Sequence, residues 1–381
     1  MRRYDTIVVG LGAMGSATLY HLALRGQRAL GLEQFSPGHA LGSSHGDSRI
    51  IREQYFEHPL YVPLVQRAYQ LWRELEQNTC RPLMMITGGL MIGPTDGVVV
   101  TGTIRSAIEH RLPHDVLSAA ELRTRFTAFA PAEGLVGAWD PRAGFLDADA
   151  CNAAHVDAAR AKGAHASFDE PVTKWEPYGD GVRVATPRGT YLADRLLLAT
   201  GSWTKEILRD LDLPLTIERE VLVWFDPAED RGAYDPQRFP IFCYEDTPGR
   251  ICFGVPRTAR GVKAGVHHSG EFVARPGDVR RDVDASEVAA LRDALRPVLP
   301  GLSRAPVRES GVCLYTNTPD DNFVVDWHPR YHNVLVSSPC SGHGFKFASV
   351  LGEAQAELLT TGKSRFDLSP FRIDRFSSAT Q

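Results

Sequence analysis

The stretch YDTIVVGLGAMG, residues 4–15, decides the fold. A β-branched run that meets three spaced glycines and is followed by an apolar segment at residues 16–25 predicts a strand, a tight turn and a helix. We expect Gly10 to permit the turn, Gly12 to let the backbone approach a pyrophosphate, and Gly15 to let the helix pack on the strand. The helix N-terminus would then face the phosphate groups.

An acidic residue follows the second predicted strand, which covers residues 28–32. Glu33 stands at the spacing from Gly15 at which a carboxylate binds a ribose hydroxyl, and its charge would repel the extra phosphate of NADP. Glycines also serve plain turns, but here the strand, the helix and the acid agree. The sequence therefore predicts a dinucleotide site, and the motif alone does not distinguish FAD from NAD.

The composition excludes several classes of protein. The 381 residues are 43% hydrophobic and 23% charged with a formal net charge of -4, which is typical of a globular protein with room for two domains. Without an excess of positive charge, neither nucleic acid nor an anionic membrane is an expected partner. The apolar run at residues 6–9 is too short for a signal segment, and the cysteines lack zinc-type spacing, so we expect a cytoplasmic protein without a metal site.

A polar loop rich in glycine and serine, residues 42–52, follows the second strand and contains the potential cations His45, Arg49 and Arg52. One interpretation is a functional loop beside the cofactor, since such loops carry function more often than cores do. The other is a solvated loop whose arginines pair with nearby acids, namely Asp47, Glu53 or Glu57. The position just beyond the ribose-binding strand favours the first interpretation.

Later segments continue the pattern. A strand at residues 195–200 leads into Gly201 and would place a second backbone edge against the dinucleotide, although an ordinary turn fits nearly as well. From residue 217 onward, β-branched alternation predicts a sheet with one open face, with strands at residues 220–225, 251–255 and 262–266. This sheet would belong to a covering domain inserted between cofactor-binding segments.

The last predicted strand, residues 334–338, runs into CSGHGFKF at residues 340–347 and a helix to about residue 360. We place Lys346 in the first turn of that helix, where a cation opposes the helix dipole. A negative ligand would resolve this conflict, and a substrate carboxylate or an anionic reduced flavin would qualify. The alternative is a lysine that extends to solvent.

Taken together, these segments resemble the monomeric sarcosine oxidase and N-methyltryptophan oxidase family of flavin-dependent amine oxidases. The resemblance covers nearly the whole chain. It rests on the glycine motif with Glu33 and on blocks that occur in the family's order, namely HGDSRIIR at 45–52, GVKAGVH at 261–267, CLYTN at 313–317, SGHGFKF at 341–347 and DLSPFR at 367–372.

The resemblance implies an α/β fold with two interleaved domains. We predict a Rossmann-like FAD-binding domain from residues 1–84, 146–218 and 316–381. A second, mainly antiparallel-sheet substrate domain would comprise residues 85–145 and 219–315.

The resemblance also implies roles for particular residues. Cys313 falls where the family attaches FAD through an 8α-cysteinyl thioether, and Arg52 and Lys346 fall where it holds the substrate carboxylate. Lys263 matches the lysine that serves reaction with oxygen on the other flavin face. The predicted catalytic residues are Lys263, Arg49, His267 and Tyr315, of which His267 and Tyr315 also line the substrate cavity. The predicted cofactor-binding residues are Gly10, Gly12, Gly15, Glu33, Ser44, His45, Arg49, Val172, Gly201, Cys313, Gly342, His343, Gly344 and Lys346.

Three positions depart from the family pattern. Ser44 stands where relatives commonly have a second histidine before His45. Phe253 lies close to a tyrosine of relatives, but its spacing to Lys263 is one residue short. Cys340 replaces a residue that is usually small or apolar.

The function that the resemblance implies is FAD-dependent oxidation of N-methylated amino acids such as sarcosine or N-methyltryptophan by a monomer. The products would be the demethylated amino acid, formaldehyde and, after reoxidation by O₂, hydrogen peroxide. Two alternatives stay open. One is an oxidase of a cyclic secondary amino acid of the proline or pipecolate type. The other is a non-catalytic dinucleotide-binding protein, against which the presence of Lys263, Lys346 and Arg52 together argues.

Overall fold

The glycine-rich turn joins the first strand to the first helix in the computed structural model, which describes residues 2–338 and 340–376. Residues 1, 339 and 377–381, which belong to the predicted FAD-binding segments, lie outside the described residues.

The described chain alternates strands and helices in its first third and is mainly strand from residue 174 to residue 338. The strands are β1 (Arg2–Val9), β2 (Ala29–Leu32), β3 (Ser48–Ile51), β4 (Met84–Ile86), β5 (Gly89–Pro94), β6 (Asp115–Ser118), β7 (Leu135–Asp140), β8 (Gly144–Asp147), β9 (His165–Ser167), β10 (Lys174–Tyr178), β11 (Gly181–Thr186), β12 (Gly189–Leu198), β13 (Thr216–Phe225), β14 (Ile241–Thr247), β15 (Arg250–Thr258), β16 (Gly261–His267), β17 (Glu271–Val273), β18 (Val307–Asn317), β19 (Val324–His328) and β20 (Tyr331–Ser338). The α-helices are α1 (Ala13–Leu24), α2 (Val62–Thr79), α3 (Val98–Glu109), α4 (Ala119–Arg125), α5 (Ala148–Ala161), α6 (Thr204–Ile207), α7 (Ala285–Leu295), α8 (Pro300–Arg304) and α9 (Ala348–Thr361).

The first sheet has the order β10-β11-β12-β1-β2-β9, and β20 continues it beside β12. Strand β1 pairs in parallel with both β2 and β12, so that Val9 lies opposite Leu32 on one side and Leu198 on the other. The carboxyl ends of these strands therefore meet at one edge, where ligands bind in open α/β sheets. Gly10, Glu33 and the turn at Gly201 all follow directly at this edge.

Helix α1 packs against this sheet between α5 and α9. Its residues Ala13–Ala23 are all buried, which agrees with its apolar composition on every side. The helix begins at Ala13, three residues before the predicted start, because Gly12 is its N-cap and the amide of Ser16 already donates to the carbonyl of Gly12. The turn and the helix are thus continuous.

The second sheet has the order β17-β13-β16-β15-β14-β5-β7-β6, with β18 paired to β13. Its pairings are antiparallel except for that between β14 and β5. A third, small sheet consists of β3, β8 and β4, and its strand β3 ends directly before Arg52. The predicted fold class, a Rossmann-like unit combined with a mainly antiparallel sheet, is confirmed, whereas the exact domain boundaries stay a prediction. Among the described residues, no helix is both long and apolar enough to cross a membrane.

Gly15 offers a test of the strand-turn-helix unit. A Cβ at this position would lie 1.8 Å from the carbonyl oxygen of Gly10, which is backbone and cannot move aside. We expect Gly15→Ala to separate the helix from the turn, to lower the free energy of unfolding by about 1–3 kcal/mol and to weaken cofactor retention. Denaturant titration checks the first effect and the flavin content of the purified protein checks the second.

Gly232→Ala is the control for this experiment. A Cβ at residue 232 would have no atom of the described chain within 4 Å, apart from its own neighbours in sequence. This variant should therefore keep the wild-type stability and flavin content. Equal stability of the two variants would contradict the prediction.

Candidate active site

The glycine turn closes against the neighbouring strand. Gly10 has φ +88°, and a Cβ there would lie 2.4 Å from the carbonyl oxygen of Ala199, so this position requires glycine. A Cβ on Gly12 would lie 3.2 Å from the Ser44 hydroxyl, which itself accepts a hydrogen bond from the amide of Ala13. The start of α1 is therefore bare backbone on its open side, as a phosphate cradle requires.

Glu33 is fixed at the end of β2 by backbone donors. Its carboxylate accepts hydrogen bonds from the amides of Leu11, at 2.8 Å, and Phe35, at 3.1 Å. The side chain is 6% exposed and lines the same cavity as Gly10 and Gly12. Each carboxylate oxygen accepts more than one hydrogen bond, so the group still has lone pairs for a ribose hydroxyl.

A cavity of about 870 Å³ extends from this cradle between the first two sheets. Nearly all of the predicted site residues line it, namely Gly10, Gly12, Glu33, Ser44, Arg49, Arg52, Val172, Gly201, Lys263, His267, Cys313, Tyr315, Gly342, His343, Gly344 and Lys346. Gly15 and His45 do not line it. Gly15 acts through the packing described above, and His45 is buried beside the cavity wall.

Two cations and a thiol meet in the middle of the cavity. The Arg49 guanidinium lies 3.4 Å from Sγ of Cys313 and also donates to the carbonyls of Ser43 and Ser48. The Lys263 ammonium donates to the carbonyls of Gly46, at 3.0 Å, and Ser48. Burial, aided by the neighbouring Arg49 charge, lowers the pKa of Lys263 well below its ordinary value.

These contacts decide between the two interpretations of loop 42–52. Among the described residues, neither Arg49 nor Lys263 forms an ion pair, because both are held by backbone carbonyls of the loop. The solvated-loop interpretation, with arginines paired to nearby acids, is therefore wrong for Arg49. The pairing with a nearby acid holds for Arg52.

Arg52 lies at one end of the cavity and is 3% exposed. Its Nη2 donates to both carboxylate oxygens of Glu57, at 2.7 and 2.6 Å. The guanidinium lies over the rings of Tyr55 and Phe56, 4.3 and 4.1 Å from their centroids. Burial favours the neutral form of Glu57, but the Arg52 charge outweighs it and lowers the pKa of this carboxyl to about 2. Arg52 is thus occupied by a carboxylate of the chain itself.

Lys346 lies beside this ion pair. It is in a 3₁₀ turn, Phe345–Phe347, directly before α9, rather than in the first turn of the α-helix as predicted. Its ammonium donates to the carbonyl of His343, at 2.7 Å, and to the Tyr55 hydroxyl, at 3.3 Å. The residue is 5% exposed, so the interpretation as a lysine extending to solvent is wrong. Burial, followed by repulsion from Arg52, lowers the pKa of Lys346 to about 7.

A polar wall faces the two cations. Nδ1 of His267 lies 3.1 Å from the Tyr315 hydroxyl. Gly342, at φ +73°, packs against both rings, and a Cβ there would lie 2.6 Å from each of them. Desolvation lowers the pKa of His267 well below its ordinary value and raises that of Tyr315 well above its own. Both side chains are therefore neutral at pH 7.

Sequence reasoning missed several groups that complete this end of the cavity. It considered Glu57 only as the partner of a solvated arginine, and it did not identify Tyr55, whose hydroxyl lies 2.6 Å from Nδ1 of His343. The only sign of these groups in the sequence was that Arg52, Tyr55 and Glu57 lie close together in a short segment without regular secondary structure. It also missed a cluster of Glu218, Glu220 and His268, whose metal-ligand type atoms lie within 4.8 Å of one another.

The fold and the cavity together define a class of enzyme. A phosphate cradle at the edge of a parallel sheet opens into a cavity that ends at buried cations, which is the arrangement of a dinucleotide-dependent enzyme acting on a small anionic substrate. The sequence matches the family model of FAD dependent oxidoreductases over residues 5–358, and the chain belongs to this family. Its dinucleotide is FAD.

The chain is similar over its full length to characterised relatives. It is 42% identical to monomeric sarcosine oxidase of Streptomyces avermitilis over 380 residues, which cover 99% of this chain and 98% of the relative. It is 34% identical to N-methyl-L-tryptophan oxidase of Salmonella agona, covering 98% of this chain and all of the relative. Among solved structures it is similar to NikD, an unusual amino acid oxidase, with a TM-score of 0.85, 26% identity and 98% of each chain covered.

The residues of the cavity fit FAD. Around Cys313 and Arg49, the buried atoms Ser43 Oγ, Ser48 Oγ and His45 Nε2 have no hydrogen-bond partner within the described chain. Orphaned polar atoms beside a cavity indicate groups that a polar ligand satisfies. Gly10, Gly12 and Glu33 would hold the dinucleotide, and Arg49 and Lys263 would face its redox-active ring.

Lys346 gives the site a pH dependence that can be measured. With a pKa of about 7, its ammonium is charged below that pH and neutral above it in the free enzyme. We expect the affinity for acetate to fall by about tenfold between pH 6 and pH 8 as Lys346 loses its proton. In Lys346→Met, acetate should bind more weakly at pH 6 and with a flat pH profile. Titration of the flavin absorbance with acetate measures both.

The exposed Lys363 supplies the control, because Lys363→Met removes a lysine that does not line the cavity. This variant should keep the wild-type acetate profile. A wild-type profile in Lys346→Met would remove Lys346 from the anion site.

Proposed function

We propose that this protein is an FAD-dependent oxidase of N-methylated amino acids, which converts them to the demethylated amino acid, formaldehyde and hydrogen peroxide. The proposal rests on one observation: Arg52 and Lys346 lie together at the end of the cavity, and Arg52 already binds a carboxylate, that of Glu57. The names of the two relatives supply the substrate class, since both are oxidases of N-methyl amino acids.

The substrate carboxylate takes the place of Glu57 on Arg52. The rings of Tyr55 and Phe56 cover the guanidinium of Arg52. Nη1 donates to the carbonyl of Gln54, so the substrate carboxylate binds through Nη2, which now holds both oxygens of Glu57. Glu57 is partly exposed, at 22% of its side chain, and can therefore turn to solvent when displaced. Lys346 adds a second positive charge that Glu57 alone does not neutralise.

The amine of the substrate then faces His267 and Tyr315. Because both side chains are neutral, they bind the amine by hydrogen bonds without placing a charge next to it. Oxidation requires an amine whose lone pair is free, so the ammonium must lose its proton before the reaction. Bound FAD supplies the two-electron oxidation of the N-methyl carbon, and water hydrolyses the resulting imine. The protein contributes the orientation of the carbon–hydrogen bond.

Lys263 and Arg49 would serve the oxidative half of the reaction. Electron transfer to O₂ creates an anion inside a dry cavity, and a fixed cation stabilises that anion as it forms. Lys263 is 1% exposed and is held by two backbone carbonyls rather than by an acid, so no carboxylate cancels the charge of its protonated form. Burial lowers its pKa, and an anion that forms beside it favours the protonated form again. We assign it this role with O₂ as the electron acceptor.

Cys313 is the site of covalent attachment in this proposal. Its thiol lies on the cavity wall, is 3% exposed and has the Arg49 guanidinium at 3.4 Å. The bond would join Sγ to the 8α carbon of FAD as a thioether, with loss of the thiol hydrogen and of one hydrogen of the 8α methyl group. The two electrons released would reduce the flavin, which O₂ would then reoxidise. Cys340 also lines the cavity but is not hydrogen-bonded to a cation of the described chain, so it serves as the comparison. We further propose a monomer, in keeping with the name of the Streptomyces relative.

The substrate class is tested by incubating the purified flavoprotein with sarcosine, N-methyl-L-tryptophan and L-proline. We expect oxygen consumption and equal amounts of hydrogen peroxide and formaldehyde with at least one N-methyl amino acid, and a loss of this activity when the carboxylate is replaced by an amide. Peroxide and formaldehyde are measured by coupled assays. Oxidation of L-proline alone, with no formaldehyde from the N-methyl compounds, would point to the cyclic class instead.

The covalent bond is tested by acid precipitation. We expect the yellow colour to stay with the wild-type polypeptide and with Cys340→Ala, and to be released to the supernatant from Cys313→Ala. Mass spectrometry of the wild type should show the added mass of FAD on the peptide that contains residue 313. Release of flavin from the wild type, or retention in Cys313→Ala, would show that Cys313 does not form the bond.

A further inference from the structure

Two buried carboxyl groups lie close to the residues that line the substrate cavity. Glu218 and Glu220 are on β13 and each is 2% exposed. Their oxygens and a ring nitrogen of His268, just past the end of β16, lie within 4.8 Å of one another. Two carboxylates this close in a dry environment repel each other strongly, so they cannot both be ionised unless a cation compensates them.

The hydrogen bonds distinguish the two acids. Both oxygens of Glu218 accept bonds, one from the amide of Gly270, at 3.0 Å, and the other from His268 Nδ1 and Asn317 Nδ2, at 3.0 and 2.6 Å. Glu220 accepts only the amide of Ser269, at 3.2 Å, through Oε1. Its Oε2 is buried and has no partner within the described chain. These donors therefore stabilise Glu218 as an anion, whereas Glu220 lacks such donors.

No arginine or lysine of the described residues forms an ion pair with either acid. Arg219, the residue between them, projects to the opposite face of the strand and pairs with Glu287. Within residues 2–338 and 340–376, the basic side chain next to the pair is that of His268, which contacts Glu218 alone and carries a charge only when it is protonated. One negative charge can be accommodated by these donors, and a second has nothing to balance it.

The position of the pair links it to the cavity. In the register of β13 with β18, Glu218 lies opposite Tyr315 and Glu220 opposite Cys313. The rings of His267 and His268 are 4.1 Å apart, and Tyr315 lies 5.4 Å from each of them. Because opposite residues of paired strands project to the same face of the sheet, the acids lie beside Tyr315 and Cys313, next to the wall that faces the substrate amine.

We propose that Glu220 is a neutral carboxylic acid beside an ionised Glu218, and that this acid pair positions the His267–Tyr315 wall while keeping a single negative charge next to it. Both residues are positioning residues. The inference rests on the proposed function for the identity of the amine that the wall faces. Burial, followed by the Glu218 charge, raises the pKa of Glu220 to about 9.

Loss of that proton has a defined consequence for the reaction. The O–H bond of Glu220 breaks, the proton passes to hydroxide in solvent, and a second negative charge appears near the amine. A negative charge favours the ammonium form of the substrate, which has no free lone pair, so oxidation slows. The ionisable groups that face the pair or its wall from the packed elements are Cys313, Tyr315, His267, His268, Asp321, Arg49, Glu57, His343 and Lys346. None of them is removed by the substitution proposed below.

The first test compares the pH profiles of the wild type and Glu220→Gln, since glutamine has the shape of the protonated acid and cannot ionise. We expect kcat/KM for the N-methyl substrate to agree within about twofold at pH 7.5, and the variant to exceed the wild type by about tenfold at pH 10, one unit above the Glu220 pKa. Glu309→Gln, an exposed glutamate on β18, should follow the wild type throughout. Parallel profiles of wild type and Glu220→Gln would overturn the proposal.

The second test does not depend on turnover. The pKa of Glu220 is raised in the folded protein, so the folded state binds this proton more tightly than the unfolded chain does, and the contribution of Glu220 to the stability of the wild type falls as pH rises from about 5 to about 9. The thermal unfolding temperature of the Glu220→Gln holoenzyme should therefore rise relative to the wild type across this range and the difference should stay constant above it. A difference that is independent of pH would show a merely structural role.

Two further measurements test the proposal, namely the pH profile of Glu218→Gln and the metal content of the purified holoenzyme. Glu218→Gln removes the charge that holds Glu220 neutral, so its alkaline decline should begin at least about one pH unit lower than that of the wild type. If Glu220→Gln does not fold, this variant still decides the matter, and an unshifted decline would overturn the proposal. A stoichiometric divalent metal in the purified holoenzyme, lost in either variant, would overturn it in favour of a metal site. Failure of every N-methyl substrate would refute the proposed function but leave the unfolding measurement intact.

Discussion

The site depends on burying positive charge without burying equal negative charge beside it. Lys263 and Lys346 are buried and Arg49 is half-buried, and each is held by carbonyl oxygens of the backbone rather than by a carboxylate. Carbonyl dipoles offset part of the cost of desolvating a cation but leave its net charge in place. That remaining charge is what an anionic cofactor, a carboxylate or a reduced oxygen species encounters in this cavity.

The same constraint explains why Arg52 differs from the other three. It is the deepest guanidinium at the substrate end and is enclosed by two aromatic rings, which satisfy its faces but not its in-plane donors. Glu57 accepts hydrogen bonds from Nη2 and is itself held by this contact as an anion, while Nη1 donates to the carbonyl of Gln54. A substrate carboxylate therefore competes with an internal anion, and its affinity depends on the difference in free energy between two similar ion pairs. Lys346, which has no carboxylate of its own among the described residues, supplies the surplus that favours the ligand.

The parts of the fold that are local in sequence were predictable. The strand, turn and helix at residues 4–24 follow from β-branched residues, from glycines needed where φ is positive or backbones touch, and from an apolar helix. Glu33 and Gly201 follow from the same geometry, because parallel strands end at one edge. The residues at the substrate end came from family resemblance, and the structure places them in the same cavity.

What the sequence could not indicate is the state in which those residues are held. Whether Arg49 reaches the Cys313 thiol, or Lys346 meets solvent or the Tyr55 hydroxyl, depends on contacts between segments that are hundreds of residues apart. The 3₁₀ turn at Phe345–Phe347 shows the difficulty: helical spacing predicts a lysine in the first turn of a helix, where it could reach water, but Ser341 and Gly342 at positive φ turn the chain inward before the helix begins. Tertiary packing here overrides the local preference of the segment.

The cavity is therefore asymmetric in its treatment of charge. Arg49, Lys263 and Lys346 are held by backbone carbonyls, and none of the three is paired with a carboxylate of the described chain. Arg49 and Lys263 share the carbonyl of Ser48. The acids next to the His267–Tyr315 wall, Glu218 and Glu220, are close in sequence and in space. No cation of the described chain balances two negative charges there. A proton is the smallest group that can remove one of them, and it does so without adding a side chain to a wall that must stay close to the substrate. The same β13–β18 pairing that places Cys313 and Tyr315 in the cavity thus also places the two acids beside them on the neighbouring strand.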